Sequence, residues 1–217
     1  MVTLEKMNKG EYWILDSVLT ARYPFECLAA DDTESVYNKR GHGLKGIELL
    51  DTLYRLFLNR DLLAERMERV GTHFVPSDTF APTRLEIEAA LVGTLKAYYG
   101  LTPQGGTRWE AVSKPDWNRY VYAGTSLDEG ETIASDRKLV EQYEYFSRYT
   151  SNMSIIAGSE EWDVLEPWQA TYWKTLPIGH RLRYRFTYGD EPVVVPIPPL
   201  AKQFFVNIYN WYTKFEE

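Results

Sequence analysis

From Ile47 onward the apolar residues fall at three- and four-residue steps, at Ile47, Leu50, Leu53, Tyr54, Phe57 and Leu58. That spacing places one apolar stripe along a helix. Asn59 to Asp61 interrupts the pattern, and Leu62, Leu63, Met67 and Val70 continue it as the same helix or as a second one capped by Asp61, with Gly71 as the stop. Pro76 to Pro82 reads as a loop. Thr83, Arg84, Leu85 and Glu86 then have the spacing of a capping box, ahead of a helix that carries Leu85, Ile87, Ala89, Leu91, Val92 and Leu95. Tyr98 to Thr102 is short and extended. Thr102 followed by Pro103 predicts an N-cap and a first helical residue, because proline lacks only a donor that would be an orphan there. Trp109 and Val112 face inward from that helix, which Gly105 and Gly106 weaken by roughly 1 kcal/mol each against Ala.

Before this region, Tyr12, Trp13, Ile14, Leu15, Val18 and Leu19 form an apolar block that is a helix or a strand and ends near Tyr23 and Pro24. Asp31 to Gly46 is polar, contains Gly41, Gly43 and Gly46, and reads as a connection. After it, Asp128 to Glu131 is an acidic turn, and Ser135 caps a helix through Leu139, Val140, Tyr143, Phe146 and Tyr149. Glu160 to Trp173 reads as a short helix broken around Pro167. His180 to Tyr188 is the clearest strand, since Leu182, Tyr184 and Phe186 alternate with Arg181, Arg183 and Arg185. Val193 to Val195 offers it a partner across Gly189 and Asp190, and Leu200 to Phe215 closes the chain as an aromatic helix. The expected fold is α+β: a mainly helical part over residues 1–124, then an α+β part over residues 125–217 with a small antiparallel hairpin and a terminal helix, packed as one compact unit.

A helix, a short extended segment ending Leu101-Thr102, and a helix that starts Pro103-Gln104-Gly105 resemble the end of the winged-helix domain in bacterial transcriptional regulators of the PadR and MarR type. The resemblance spans about residues 47–112, and it puts Leu85 to Leu95 in the place of the recognition helix. It implies a winged-helix scaffold and, by analogy, a regulator that binds DNA. The helix in that place carries Arg84 as its base beside Glu86 and Glu88, and carboxylates facing phosphates are repelled. A degenerate scaffold used for protein contact fits these charges.

Composition narrows the function classes. The chain has 217 residues and a formal net charge of −7, which opposes a large basic footprint for duplex nucleic acid and suits a protein partner with a basic surface. Aromatic residues make up 15% of it, and the polar handles of Tyr and Trp suit partly wet contact surfaces as well as cores. The single Cys27 cannot form an internal disulfide, so a reducing compartment is expected. No apolar leader and no run of about 18 apolar residues is present. The expected setting is cytoplasmic, with no membrane contact.

Candidate chemistry is sparse. His42, His73 and His180 lie far apart, and none has a partner at a helical ligand spacing, so no metal, cofactor or catalytic residue is assigned. Arg181, Arg183 and Arg185 project from one strand face about 7 Å apart and either grip an anionic ligand or pair with neighbouring acids. Trp162, Trp168, Tyr172 and Trp173 are dense enough for a core plug or a contact hot spot. These seven residues are the expected partner-contact site. The function expected is non-enzymatic binding of a macromolecule, by an immunity-type inhibitor or an adaptor that occludes a protein partner. The alternatives are a winged-helix DNA-binding regulator and an enzyme that uses the arginines as an anion clamp.

Overall fold

The computed structural model describes residues 7–33, 36, 41–189 and 196–215. The chain divides into two compact units. The first comprises Met1–Ser113, Thr171–Lys174 and Lys214–Glu217, and the second Lys114–Ala170 and Thr175–Thr213.

In the first unit, α1 (Lys9–Ser17) starts at a reciprocal capping box between Asn8 and Glu11. After β1 (Tyr23–Pro24) and a 3₁₀ turn (Phe25–Ala29) comes α2 (Gly46–Leu58), the helix that the three- and four-residue spacing predicts. It buries Leu49, Leu53, Leu56 and Phe57. Strands β2 (Leu62–Val70) and β3 (His73–Phe80) follow, then α3 (Arg84–Leu91), β4 (Ala97–Leu101) and α4 (Pro103–Ser113). The four strands form one antiparallel sheet in the order β1-β4-β2-β3.

The expectation of a mainly helical N-terminal part is therefore corrected, because strands are interleaved through it. Leu62 to Val70 is a strand: Leu62 and Ala64 are buried and pair with Leu101 and Tyr99. An apolar spacing compatible with a helix loses here to the ladder that β4 provides. Pro76 lies within β3 at the sheet edge, where a missing donor breaks no inner ladder bond. Gly71 ends no helix. It takes a φ of +63° in the hairpin turn, a conformation that costs glycine little.

The helix starts hold as read. Thr83 and Glu86 cap α3 reciprocally, and the Gly105 N–H donates to Thr102 Oγ1 at 3.0 Å. Leu85 is the exception on α3. It stands in solvent while Ile87 and Ala90 are buried. Trp109 on α4 is wholly buried, and its Nε1–H donates to Asp16 Oδ1 at 3.1 Å.

The glycine pair of α4 has a packing reason. A Cβ at Gly105 would overlap the backbone carbonyl of Asp61, 2.7 Å from its carbon, and one at Gly106 would run into the Trp173 ring. Close approach also buries charge. Asp61 is fully buried and pairs with Arg108, whose guanidinium reaches Glu11 at 3.4 Å, and Arg55 Nε donates to Glu11 at 2.9 Å. Burial pushes the Asp61 carboxyl up, against the pull of Arg108.

In the second unit, β5 (Val121–Ser126) and β6 (Glu129–Ala134) form a hairpin, and α5 (Arg137–Ser147) follows. The α5 N-cap is Asp136, whose carboxylate accepts from Lys138 N–H, rather than Ser135. Then come β7 (Met153–Ile155), β8 (Glu161–Leu165), β9 (Trp168–Gln169), β10 (Thr175–Leu176), β11 (Gly179–Tyr188) and α6 (Pro199–Tyr209). The segment read as a broken helix around Pro167 is thus two strands. β11 is the expected strand, with Leu182, Tyr184 and Phe186 buried, and it pairs with β6, β7 and β8. Val193 to Val195, its expected partner, lies outside the described residues.

Candidate binding surfaces

The first unit carries a cleft of about 730 Å³. Its apolar lining comes from the 3₁₀ turn (Leu28), α2 (Ile47, Leu50) and the end of α3 (Leu91, Val92). Ile47 and Val92 are 64% and 70% exposed. Asp31 and Glu88 bring carboxylates to the same cleft, with Lys45 among the lining side chains. Sequence reading missed this cleft. Ile47, at the start of the stripe that the spacing predicts, lies off the buried arc of Leu49, Leu53 and Leu56.

His42 fastens one wall of the cleft. Leu44 N–H donates to its Nδ1 at 3.0 Å, so the ring proton resides on Nε2, which donates to the Leu28 carbonyl at 3.0 Å. The ring is buried and neutral, and burial holds its pKa below the usual value. A folded-state pKa below the unfolded value means that the unfolded chain takes up the proton first. The stability supplied by His42 is complete above its unfolded pKa of about 6.5 and declines as pH falls below that value. Thermal melts should therefore show stability falling with acidification in this window, and the slope should flatten in His42→Gln.

The three arginines of β11 stand on one face of the second sheet, each beside carboxylates. Arg181 grips Asp163 through Nε at 2.8 Å and a second nitrogen at 2.6 Å. Arg183 lies 3.3 Å from Glu161 and 3.8 Å from Asp163, and Arg185 donates to Asp128 at 2.7 Å. The register explains this: Glu129 and Glu131 of β6 and Glu161 and Asp163 of β8 sit opposite the arginines. The hydrogen bond from Arg181 holds the Asp163 carboxyl below the usual range, and that from Arg185 does the same for Asp128. Arg183 and Arg185 also line a cleft of about 650 Å³, together with Glu129, Glu131, Glu161 and Tyr122. The face presents guanidinium groups that are already paired with carboxylates, which weakens its claim on an external anion.

The four aromatic candidates fall into both units. Trp168 is buried in the second, stacked on Tyr120 at 6.0 Å. Trp162, half-buried on β8, carries the Arg137 guanidinium 4.3 Å above its ring. Tyr172 and Trp173 belong to the first unit, where the Tyr172 hydroxyl accepts from Leu101 N–H at 2.5 Å and donates to the Val18 carbonyl at 2.6 Å. Trp173 is buried, and its Nε1–H donates to the Leu19 carbonyl at 2.9 Å.

Other reactive groups are placed conservatively. Burial, and then Glu26, push the Cys27 thiol up, away from the nucleophilic thiolate. Burial also raises Glu144, whose carboxyl accepts from Thr132. Among the described residues no group of three or more His, Cys, Asp or Glu side chains could hold a metal ion, and no helix is long and apolar enough to cross a membrane. Comparison of the chain with protein families, with curated proteins and with solved structures finds no match.

Proposed function

We propose that the chain is a non-enzymatic macromolecule-binding protein that occludes a basic protein partner, in the manner of an immunity-type inhibitor or an adaptor, and that the partner docks in the cleft between α2 and α3. The observation that carries this reading is one concavity in which Ile47 and Val92 stand in water beside the carboxylates of Asp31 and Glu88. Covering a large aliphatic side chain is worth about 1.5–3 kcal/mol, and an apolar centre with a polar rim is the anatomy of a protein interface. The carboxylates favour a cationic surface and steer its approach, as does the net charge of −7.

Duplex DNA is the weaker reading. On α3 it would meet Glu86 and Glu88, and Arg84 is already paired with Asp51. An anion-clamp enzyme has the same difficulty, since Arg181, Arg183 and Arg185 each face a carboxylate.

The test is affinity capture of the tagged full chain from an extract of its own source organism. The wild type and Arg183→Ala should retain one basic protein in stoichiometric amount. Ile47→Asp and Val92→Asp should lose it while melting at the wild-type temperature, since both positions are largely exposed. Equal retention by all four proteins, or retention of nothing by the wild type, overturns the proposal.

A further inference from the structure

A separate concavity in the second unit, of about 170 Å³, is walled largely by aromatic rings. Tyr120, Tyr143, Tyr209 and Trp211 line it, with Val121 and Ile208 between them. Tyr120 and Ile208 are buried, whereas Tyr209 is 65% exposed. The rings are held in place by neighbouring rings and main chain. Tyr120 and Trp211 have centroids 5.0 Å apart, and both pack on Trp117, at 5.4 and 4.8 Å. Asp116 N–H donates to the Trp211 carbonyl at 2.7 Å, and Tyr209 stacks on Phe205 at 6.0 Å. The walls are therefore preorganised before any ligand arrives.

We propose that this pocket is an aromatic cage for a quaternary ammonium group. A ring presents the negative lobe of its quadrupole to a cation over its face, with Trp the strongest and Tyr next. The pocket has room for several water volumes of about 30 Å³ each, the scale of a tetraalkylammonium head. Its lining contains phenols, an indole and aliphatic groups, and no carboxylate. A primary ammonium would lose the water on its three donors with no ionised acceptor to replace it, whereas a quaternary ammonium has no N–H to satisfy. The pocket lies at the C-terminal end of α6, where a guanidinium already meets the negative pole of the helix dipole, so the attraction rests on the rings. Arg119 donates to the Asn207 carbonyl at that same end, and its side chain is not part of the pocket lining.

The experiment titrates the full chain with tetramethylammonium chloride and follows the indole N–H resonance of Trp211, identified by its loss in Trp211→Phe. A saturable shift is expected, with the neutral isostere 3,3-dimethylbutan-1-ol binding about tenfold more weakly than choline if cation–π attraction contributes its usual amount. Tyr209→Ala, an exposed position that leaves the fold intact, should abolish the shift, and Tyr209→Phe should keep it. Phosphocholine and a trimethyl-lysine peptide paired with its unmethylated form distinguish the sources: binding by either, with the unmodified peptide silent, supports the cage and names its ligand. No saturable response to tetramethylammonium, equal binding of the neutral isostere, or an undiminished response in Tyr209→Ala overturns it.

Discussion

Gly105→Ala should cost this protein its first unit, with the variant recovered unfolded or melting far below the wild type in a circular dichroism scan. The added methyl group would meet the backbone carbonyl of Asp61, not the end of a flexible side chain, so either α4 or the segment before β2 must move. That same carbonyl accepts the Thr102 N–H at 3.1 Å, so the movement would also break the hydrogen bond that seats the start of α4. Overpacking in a well-filled interior typically costs about 1–3 kcal/mol, and a clash with main chain belongs at or beyond the top of that range. Intrinsic helix propensity predicts the opposite, since Ala is favoured over Gly in a helix by roughly 1 kcal/mol. The sign of the measured change therefore decides between propensity and packing.

Arg108→Leu should be the second severe change, with a loss of about 3–5 kcal/mol in thermal or urea unfolding, the range for removing one partner of a buried ion pair. Asp61 would be left fully buried without its counter-charge. Glu11 would suffer less, because Arg55 still donates to it. A pH series adds an independent check. The folded-state pKa of Asp61 already lies above its unfolded value because of burial, and losing Arg108 raises it further. A carboxyl whose folded pKa exceeds its unfolded pKa stabilises most when protonated. The Arg108→Leu defect should shrink as pH falls from the folded toward the unfolded pKa of Asp61. The double variant Asp61→Leu/Arg108→Leu should recover much of the loss at neutral pH, since an apolar pair of similar volume can replace a buried ion pair at little net cost.

The arginine strand and the aromatic cage show how differently site residues read from sequence. Alternation over Leu182 to Phe186 is enough to place Arg181, Arg183 and Arg185 on one face. It carries no information about Glu161, Asp163 or Asp128, which strand pairing supplies. The cage residues come from the residue before β5, from β5 itself, from α5 and from the end of α6, so no spacing rule gathers them. Composition did register an aromatic excess. The dense stretch from Trp162 to Trp173 holds two indoles, those of Trp168 and Trp173, that are interior.

What the sequence determined by itself is what depends on neighbours within a few residues. The α2 helix, the capping box before α3, the Thr102 and Pro103 start of α4 and the alternation of β11 are settled by side chains that bond or pack within a turn or a pleat. Tertiary structure alone decided whether Leu62 to Val70 and Glu161 to Gln169 would be strands, because a short apolar segment takes the form that lets distant backbone groups pair. It also decided which charges are buried, which apolar side chains remain in water beside α2 and α3, and why two glycines sit inside α4. Each of those depends on a contact with a residue dozens of positions away, and the free energy of such a contact is absent from any local window.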